Sequence, residues 1–259
     1  FFPSSLLPFF PSSLLPFFQP QHQLPCNPKS STWFDTAKHC TMSVLNQHEQ
    51  LAVRSIAFDL MRQDEEIDND LTPTGIEQAT HVRETAASLT PQLILVSPLS
   101  RAIDTANIVF GHSSTTVPTV CLENLRERNG LLLNGQRRTL HYLQGKFPRI
   151  NFEDITPGED TLWLSFGAET LETAEACSKR AYDSLLYVAT REEEEIAVVA
   201  HGGLFHQLTT GLPELIQCDE GTSKRFHNCE LRTVKMSWTT KVDIDDAPVV
   251  FQLELMPKR

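Results

Sequence analysis

The sequence has little positive charge and no long apolar run. Its 22 Lys and Arg residues stand against 33 Asp and Glu, which gives a formal net charge of −11 at pH 7 and a pI near 5.3. Nucleic-acid-binding proteins normally carry a basic stripe that releases counterions from the phosphate backbone, so we do not expect a nucleic-acid partner. No apolar run reaches about 18 residues, so we also expect no membrane-spanning helix.

Several motifs that mark common enzyme classes are missing as well. The six cysteines form no Cys-x-x-Cys pair, which argues against a zinc knuckle or a disulfide framework and favours a reducing, cytosolic compartment. No glycine-rich nucleotide loop is present, and no Gly-x-Ser-x-Gly elbow of a serine hydrolase. No cysteine is followed six positions later by an arginine, as a cysteine phosphatase loop requires.

The first 41 residues differ from the rest of the chain. Residues 1–8, FFPSSLLP, repeat without change at 9–16, and prolines at this density sustain neither a helix nor the apolar core of a signal peptide. We predict disorder for residues 1–41 and a single domain over residues 42–259. A translated simple repeat or an incorrect gene model accounts for the repetition at least as well as a biological tail. A plastid transit peptide is an alternative that the lack of arginine disfavours.

From Leu71 onward the chain alternates between predicted helices and predicted strands. Thr72 as N-cap and Pro73 at the first helical position predict a helix that runs to Leu89. Apolar periodicity predicts further helices over 100–110, 169–189 and 204–212, and strands over 92–97, 117–122, 195–200, 231–238 and 249–255. We therefore predict an α/β fold with three layers, α/β/α, and a mostly parallel central sheet.

Two residues that can bind an anion follow predicted strands. Arg101 comes after the strand that ends near Ser97, and His201 comes after the strand that ends near Ala200. Ligands of such sheets collect beyond the carboxyl ends of the strands, so both side chains should lie at one edge. We expect the helices that begin at Ser100 and Gly202 to offer free backbone N–H groups there, with Gly202 as a substrate contact. Each residue alone has an ordinary structural explanation, but together they predict an anion site.

Four segments together resemble the phosphate pocket of the histidine phosphatase, or phosphoglycerate mutase-like, superfamily. They are residues 97–106 (SPLSRAIDTA), 125–127 (LRE), 199–203 (VAHGG) and 226–232 (FHNCELR). Other stretches within residues 70–238 resemble the plant and fungal phosphoglycerate mutase-like branch. The resemblance implies the three-layer α/β fold and hydrolysis of a small phosphomonoester through a phosphohistidine intermediate.

The resemblance also implies roles for individual residues. It assigns Arg101 and His201 to the phosphate pocket, and Glu127 to the carboxylic acid that protonates the leaving oxygen. Arg137 and Arg138 are candidates for binding the remaining anionic groups of the substrate, with a solvated basic loop as the alternative. The family needs no metal, and we expect no cofactor and a small phosphorylated substrate as the partner, with the oligomeric state left open.

The family's Arg-His-Gly segment, which carries the nucleophile, is not intact. Residues 38–40, Lys-His-Cys, resemble it with two substitutions, and a following Ser-Val-Leu-Asn ends at Asn46, a candidate substrate ligand. His39 is therefore the preferred nucleophile. The spacing is one residue too long, so that anchoring on Asn46 would place Cys40 in the nucleophile position. His48 is a weaker candidate because both of its neighbours differ from the motif. We interpret the damage as a misjoined exon at about residue 40.

Three functions remain open. The first is a phosphatase that hydrolyses a small phosphomonoester, and the alternative is a catalytically inactive phosphate- or partner-binding protein, because the nucleophile motif is damaged. The third is a phosphoglycerate mutase, because the same pocket can return the phosphoryl group to a second hydroxyl. If the sequence upstream of Met42 encoded an in-frame apolar strand ending in Arg-His-Gly, it would favour the two enzymes, the phosphatase and the mutase, over the inactive protein.

Overall fold

The computed structural model describes residues 62, 66–111, 117–240 and 248–257. The helices in these residues are α1 (Pro73–Ala86), α2 (Ser100–Phe110), α3 (Leu140–Lys146), α4 (Thr161–Phe166), α5 (Ala174–Ala189), α6 (Gly202–Thr210) and α7 (Glu220–Ser223). The strands are β1 (Leu93–Val96), β2 (Thr119–Cys121), β3 (Ile196–Val199), β4 (Ile216–Cys218), β5 (Val234–Thr240) and β6 (Val249–Leu255). The predicted low-complexity segment, residues 1–41, lies outside the described residues.

The first sheet is parallel and has helices on both faces. Its order is β2-β1-β3, with β1 in the centre, and all four residues of β1 are buried. Ile94 and Val96 point into a core formed with α1, α2 and α3, while Leu93 and Leu95 point into one formed with α5 and α6. Because successive strand residues face opposite sides of a sheet, the apolar run of β1 fills both cores. The predicted three-layer α/β fold is confirmed.

The last strands form a second sheet among the described residues. Its order is β4-β6-β5, in which β4 runs parallel to β6 and β5 runs antiparallel to it. Phe251 and Leu253 of β6 pack against Tyr182 and Leu185 of α5, so α5 contacts both sheets. The closing strands were predicted, but the antiparallel direction of β5 and the short strand β4 were not.

Local signals account for the helix boundaries that were predicted well. The Oγ1 of Thr72 accepts a hydrogen bond from the Gly75 N–H at 3.1 Å, as expected of an N-cap. Helix α2 has the predicted bounds. Helix α5 begins at Ala174, five residues later than predicted, because Thr173 caps its first turn.

Two further findings concern the helices and the cysteines. In the described part of the chain, no helix combines the length and the apolar character needed to cross a bilayer. Cys121, Cys177, Cys218 and Cys229 are free thiols.

The close approach of Gly130 to its neighbours gives a test of the fold. Gly130 has φ +80°, and a Cβ there would collide with the Thr170 carbonyl oxygen and crowd Phe166. Gly145 lies inside α3 with nothing within 4 Å of an added Cβ. We expect Gly130→Ala to lower the free energy of unfolding by about 2–4 kcal/mol. Gly145→Ala should raise it by about 0.5–1 kcal/mol. Urea denaturation measures both, and a Gly130→Ala variant as stable as the parent would contradict this packing.

Candidate active site

The parallel register of β1 and β3 brings two polar residues together at the carboxyl edge of the first sheet. Val96 pairs with Val199, and the Ser97 N–H donates to the Val199 carbonyl at 3.0 Å. The side chains that follow then meet, with Oγ of Ser97 2.8 Å from Nε2 of His201. The structure thus places His201 at the predicted edge. Ser97 was not predicted as a site residue, although its position at the end of a strand was a usable signal.

His201 is a buried histidine in a positively charged environment. Its relative exposure is 3%. Burial lowers the pKa of His201 well below its ordinary value, and the positive charges of Arg101, Arg126 and Arg180 lower it further. The imidazole is therefore neutral at physiological pH, and it can accept a hydrogen bond on one nitrogen while donating from the other.

Arg101 lies in the first turn of α2 and lines a cavity of about 470 Å³ together with His201 and Gly202. Its Nη1 donates to the Asn134 carbonyl at 2.6 Å. Burial lowers the pKa of Arg101, and the neighbouring carboxylates of Glu127 and Asp68 partly offset this effect. An arginine keeps its charge at physiological pH, so Arg101 brings a permanent cation to the cavity wall.

Glu127 reaches the same region from a different part of the chain. It follows a 3₁₀ turn at Glu123–Leu125 and is only 7% exposed. Its Oε2 accepts a hydrogen bond from the Gly203 N–H at 3.3 Å, and its Oε1 accepts one from the Arg128 N–H at 3.0 Å. A Cβ at Gly203 would collide with the Glu127 carboxylate. Glu127 is not a lining residue of the cavity, but it contacts the turn that begins at Gly202.

Backbone N–H groups in the first turns of α2 and α6 already have hydrogen-bond partners, whereas we predicted that they would be free. Asp68, 4% exposed, accepts hydrogen bonds from the Ser100 N–H at 2.7 Å and the Ser100 hydroxyl at 2.8 Å. At α6 the Gly203 N–H is taken by Glu127. The expectation of free N–H groups is therefore wrong for these two amides, because buried carboxylates already cap both helices. Asp68 lies 32 residues before Ser100, and no local pattern in the sequence points to it.

Arg137 is a structural residue in this fold, which corrects its predicted role. It is 2% exposed, and its Nε donates to Oε1 of Glu123 at 2.8 Å. The two terminal nitrogens donate to main-chain carbonyls of residues 138, 156, 158 and 159. These bonds account for all five N–H donors of the guanidinium, so none remains for a substrate. The residue is neither a substrate ligand nor part of a solvated loop.

The substrate-binding roles predicted for Arg138 and Gly202 stay predictions. Arg138 is half-buried, and its guanidinium lies 5.8 Å from the centre of the Tyr142 ring, a cation–π distance. Gly202 is the first residue of α6 and lines the cavity beside His201. His39 and Asn46, with the alternative His48, lie outside the described residues, so their predicted roles are untested.

Aromatic groups form another part of the cavity wall. The rings of Phe205 and Phe226 stack with centroids 4.9 Å apart, and the Arg232 guanidinium lies 3.8 Å from the Phe226 centroid. All three residues line the cavity. Residues 62, 66–111, 117–240 and 248–257 contain no cluster of three or more His, Cys, Asp or Glu side chains arranged to hold a metal ion.

Comparisons with known proteins agree with the resemblance seen in the sequence. The model of the histidine phosphatase superfamily (branch 1) matches residues 59–241. The chain is 31% identical over 202 residues to phosphoglycerate mutase-like protein 1 of Arabidopsis thaliana, across 64% of this chain and 70% of that protein. It is 30% identical over 200 residues to a second phosphoglycerate mutase-like protein of the same plant, across 64% and 72%.

Among solved structures, a mycobacterial glucosyl-3-phosphoglycerate phosphatase is similar at 20% identity and a TM-score of 0.47, across 75% of this chain and 90% of that chain. The family match spans more than half of the chain and includes Arg101, Glu127 and His201. The chain therefore belongs to branch 1 of the histidine phosphatase superfamily.

Proposed function

We propose that the protein hydrolyses a small phosphomonoester. The observation that carries the proposal is that Arg101 and His201 line one cavity at the edge of the parallel sheet and that Glu127 binds the N–H of Gly203, two residues after His201. The three residues come from separate parts of the chain. A cation, a neutral imidazole and a carboxyl group are the groups that phosphoryl transfer from an ester oxygen requires.

Arg101 and His201 would hold the phosphate. Phosphoryl transfer depends mainly on positioning and on neutralising the charge that spreads over the phosphoryl oxygens. Arginine suits this task because its charge is permanent and its donors form a fork that matches phosphate oxygens. A neutral His201 would add an N–H donor, and an arriving phosphate would favour its protonated form.

Glu127 would protonate the leaving oxygen. It must carry a proton when the ester bond breaks. Its contact with the Gly203 N–H holds one carboxyl oxygen beside the helix that follows His201. The need for a histidine nucleophile comes from the resemblance alone, and His39 is the preferred candidate, ahead of His48. A histidine nucleophile divides the reaction into formation and hydrolysis of a covalent phosphohistidine.

A catalytically inactive phosphate- or partner-binding protein is the second candidate. It is favoured by the two substitutions in residues 38–40, which also lie outside the family match at 59–241. A phosphoglycerate mutase is the third, with support from the names of the Arabidopsis relatives. We further propose a cytosolic location from the scattered cysteines, no nucleic-acid partner because the chain is acidic, and no membrane partner because the sequence has no long apolar run.

A thermal shift tests the pocket. Inorganic phosphate or vanadate should raise the melting temperature, because a ligand bound only by the native state stabilises it. Arg101→Ala should abolish the shift, while Arg149→Ala, which changes an exposed arginine outside the cavity lining, should retain it. An unchanged shift in Arg101→Ala would place the anion elsewhere.

The dependence on the leaving group tests Glu127. In a form of the protein that turns over, Glu127→Gln should slow hydrolysis of an alkyl phosphate far more than that of p-nitrophenyl phosphate, whose leaving group needs little protonation. Glu153→Gln, at an exposed position, serves as the control. Equal losses on the two substrates in Glu127→Gln would remove the proton-donor role.

The nucleophile is tested by acid-quenched incubation with a labelled phosphomonoester. The proposed hydrolysis needs an intact Arg-His-Gly strand, and residues 38–40 of this sequence depart from that motif at two positions. We therefore expect a version with the intact strand to be active and this sequence to bind phosphate with little or no turnover, because loss of a nucleophile costs many orders of magnitude. Acid-labile label on this chain that disappears in His39→Ala would instead identify His39 as a working nucleophile. Robust turnover that survives replacement of both His39 and His48 would refute the phosphohistidine mechanism.

A further inference from the structure

Arg180 and Glu172 form a buried ion pair behind the loop that carries Glu127. Arg180 lies in α5, and Glu172 lies just before that helix. The Nε of Arg180 donates to Oε1 of Glu172 at 3.0 Å, and its Nη2 donates to Oε2 at 2.7 Å. Both side chains are buried. The fork geometry of this bidentate pair fixes the plane of the guanidinium.

The other donors of Arg180 hold the main chain of residues 124–127. Nη1 donates to the carbonyls of Asn124 and Arg126, both at 2.9 Å. Nη2 donates to the Glu127 carbonyl at 3.3 Å. One guanidinium therefore binds three carbonyls within four residues, including that of Glu127 itself.

Glu172 holds the main chain on the other side of Glu127. Its Oε2 accepts hydrogen bonds from the Asn129 N–H at 3.0 Å and the Asn129 amide at 3.2 Å. The Glu172 N–H donates to the Asn129 carbonyl at 2.8 Å, and the Glu172 carbonyl accepts from Nε of Arg128 at 3.1 Å. The ion pair thus fixes residues 124–129 on both sides of Glu127, while no hydrogen bond joins it to the Glu127 carboxylate.

Helix α5 also packs against α6, the helix that Glu127 contacts. Ser178 of α5 donates to Oε1 of Gln207 in α6 at 3.2 Å. A Cβ at Gly211 would collide with Oγ of Ser178, which shows how closely the two helices approach. Arg180 therefore ties the Glu127 loop to the helix that is itself locked against α6.

We propose that Arg180, oriented by Glu172, is a positioning residue that holds the Glu127 carboxylate against Gly203 and beside the bound phosphate. The proposal rests on the proposed function. A buried ion pair contributes little net stability compared with apolar residues of similar volume, so stability alone does not account for it. Catalytic groups must be held accurately, since a displacement of about 1 Å can cost about a hundredfold in rate. A lysine could not replace Arg180, because one ammonium cannot make these five bonds.

A double-mutant cycle on anion binding tests the positioning role without requiring turnover. The probe is sulfate, measured by calorimetry at pH 7.5. In the parent, Glu127→Gln should tighten sulfate binding by about fivefold, because a carboxyl group beside the anion must either repel it or take up a proton when it binds, and an amide does neither. In the variant Arg180→Met/Glu172→Gln the same substitution should change the affinity by less than about twofold, because the carboxylate is no longer fixed beside the anion.

Tyr182→Phe is the matched control. Tyr182 lies two residues from Arg180 on α5 and donates to the Val249 carbonyl at 2.8 Å, away from the loop. The control should lose stability but keep the full effect of Glu127→Gln on sulfate. Glu172→Gln alone, which leaves the Arg180 carbonyl bonds in place, should give an intermediate effect if the double variant does not fold.

The outcomes separate the two proposals. A parent that binds neither sulfate nor phosphate contradicts the proposed function and this inference with it. A parent that binds sulfate, with an undiminished effect of Glu127→Gln in the folded double variant and in Glu172→Gln, overturns the positioning role alone. A parent that binds sulfate without any effect of Glu127→Gln also overturns the positioning role.

Discussion

A guanidinium group that is buried away from water must find acceptors inside the protein, and this requirement organises the region around the site. Arg126 pairs with Asp160 and donates to the Gly135 carbonyl, while Arg137 and Arg180 bind carbonyls and one carboxylate each. An unpaired buried charge would cost several kcal/mol, roughly the stability of a small domain, so these loops are held to the arginines they surround.

Two of these arginines also act on the pocket. Burial lowers the pKa of His201, and the positive charges of Arg101, Arg126 and Arg180 lower it further, inside a chain whose net charge is −11. The charges of Arg126, Arg137 and Arg180 are balanced by the carboxylates with which they pair. Arg101, in contrast, lines the cavity. A local positive potential in an acidic protein favours small anions over extended polyanions, since the attraction acts only within a short range.

Features that depend on short stretches of sequence could be predicted, and features that depend on distant partners could not. The Thr72 cap and the bounds of α2 follow from local chemistry, and the parallel arrangement of β1 and β3 follows from the alternation of elements. The short elements α3, α4, α7 and β4 carry too few residues for a periodic signal. Arg137 was misjudged because its partner Glu123 lies 14 residues away. Nothing in its neighbours distinguishes a buried arginine from an exposed one.

The contact between Glu127 and Gly203 has a consequence for how this family can diverge. The carboxylate occupies the volume in which any side chain at position 203 would begin. A change at position 203 therefore becomes acceptable only after residue 127 has become smaller or has moved. Across related sequences the two positions should change together, although 76 residues separate them. Gly203 would then be retained in every related sequence that keeps a glutamate at the position of Glu127.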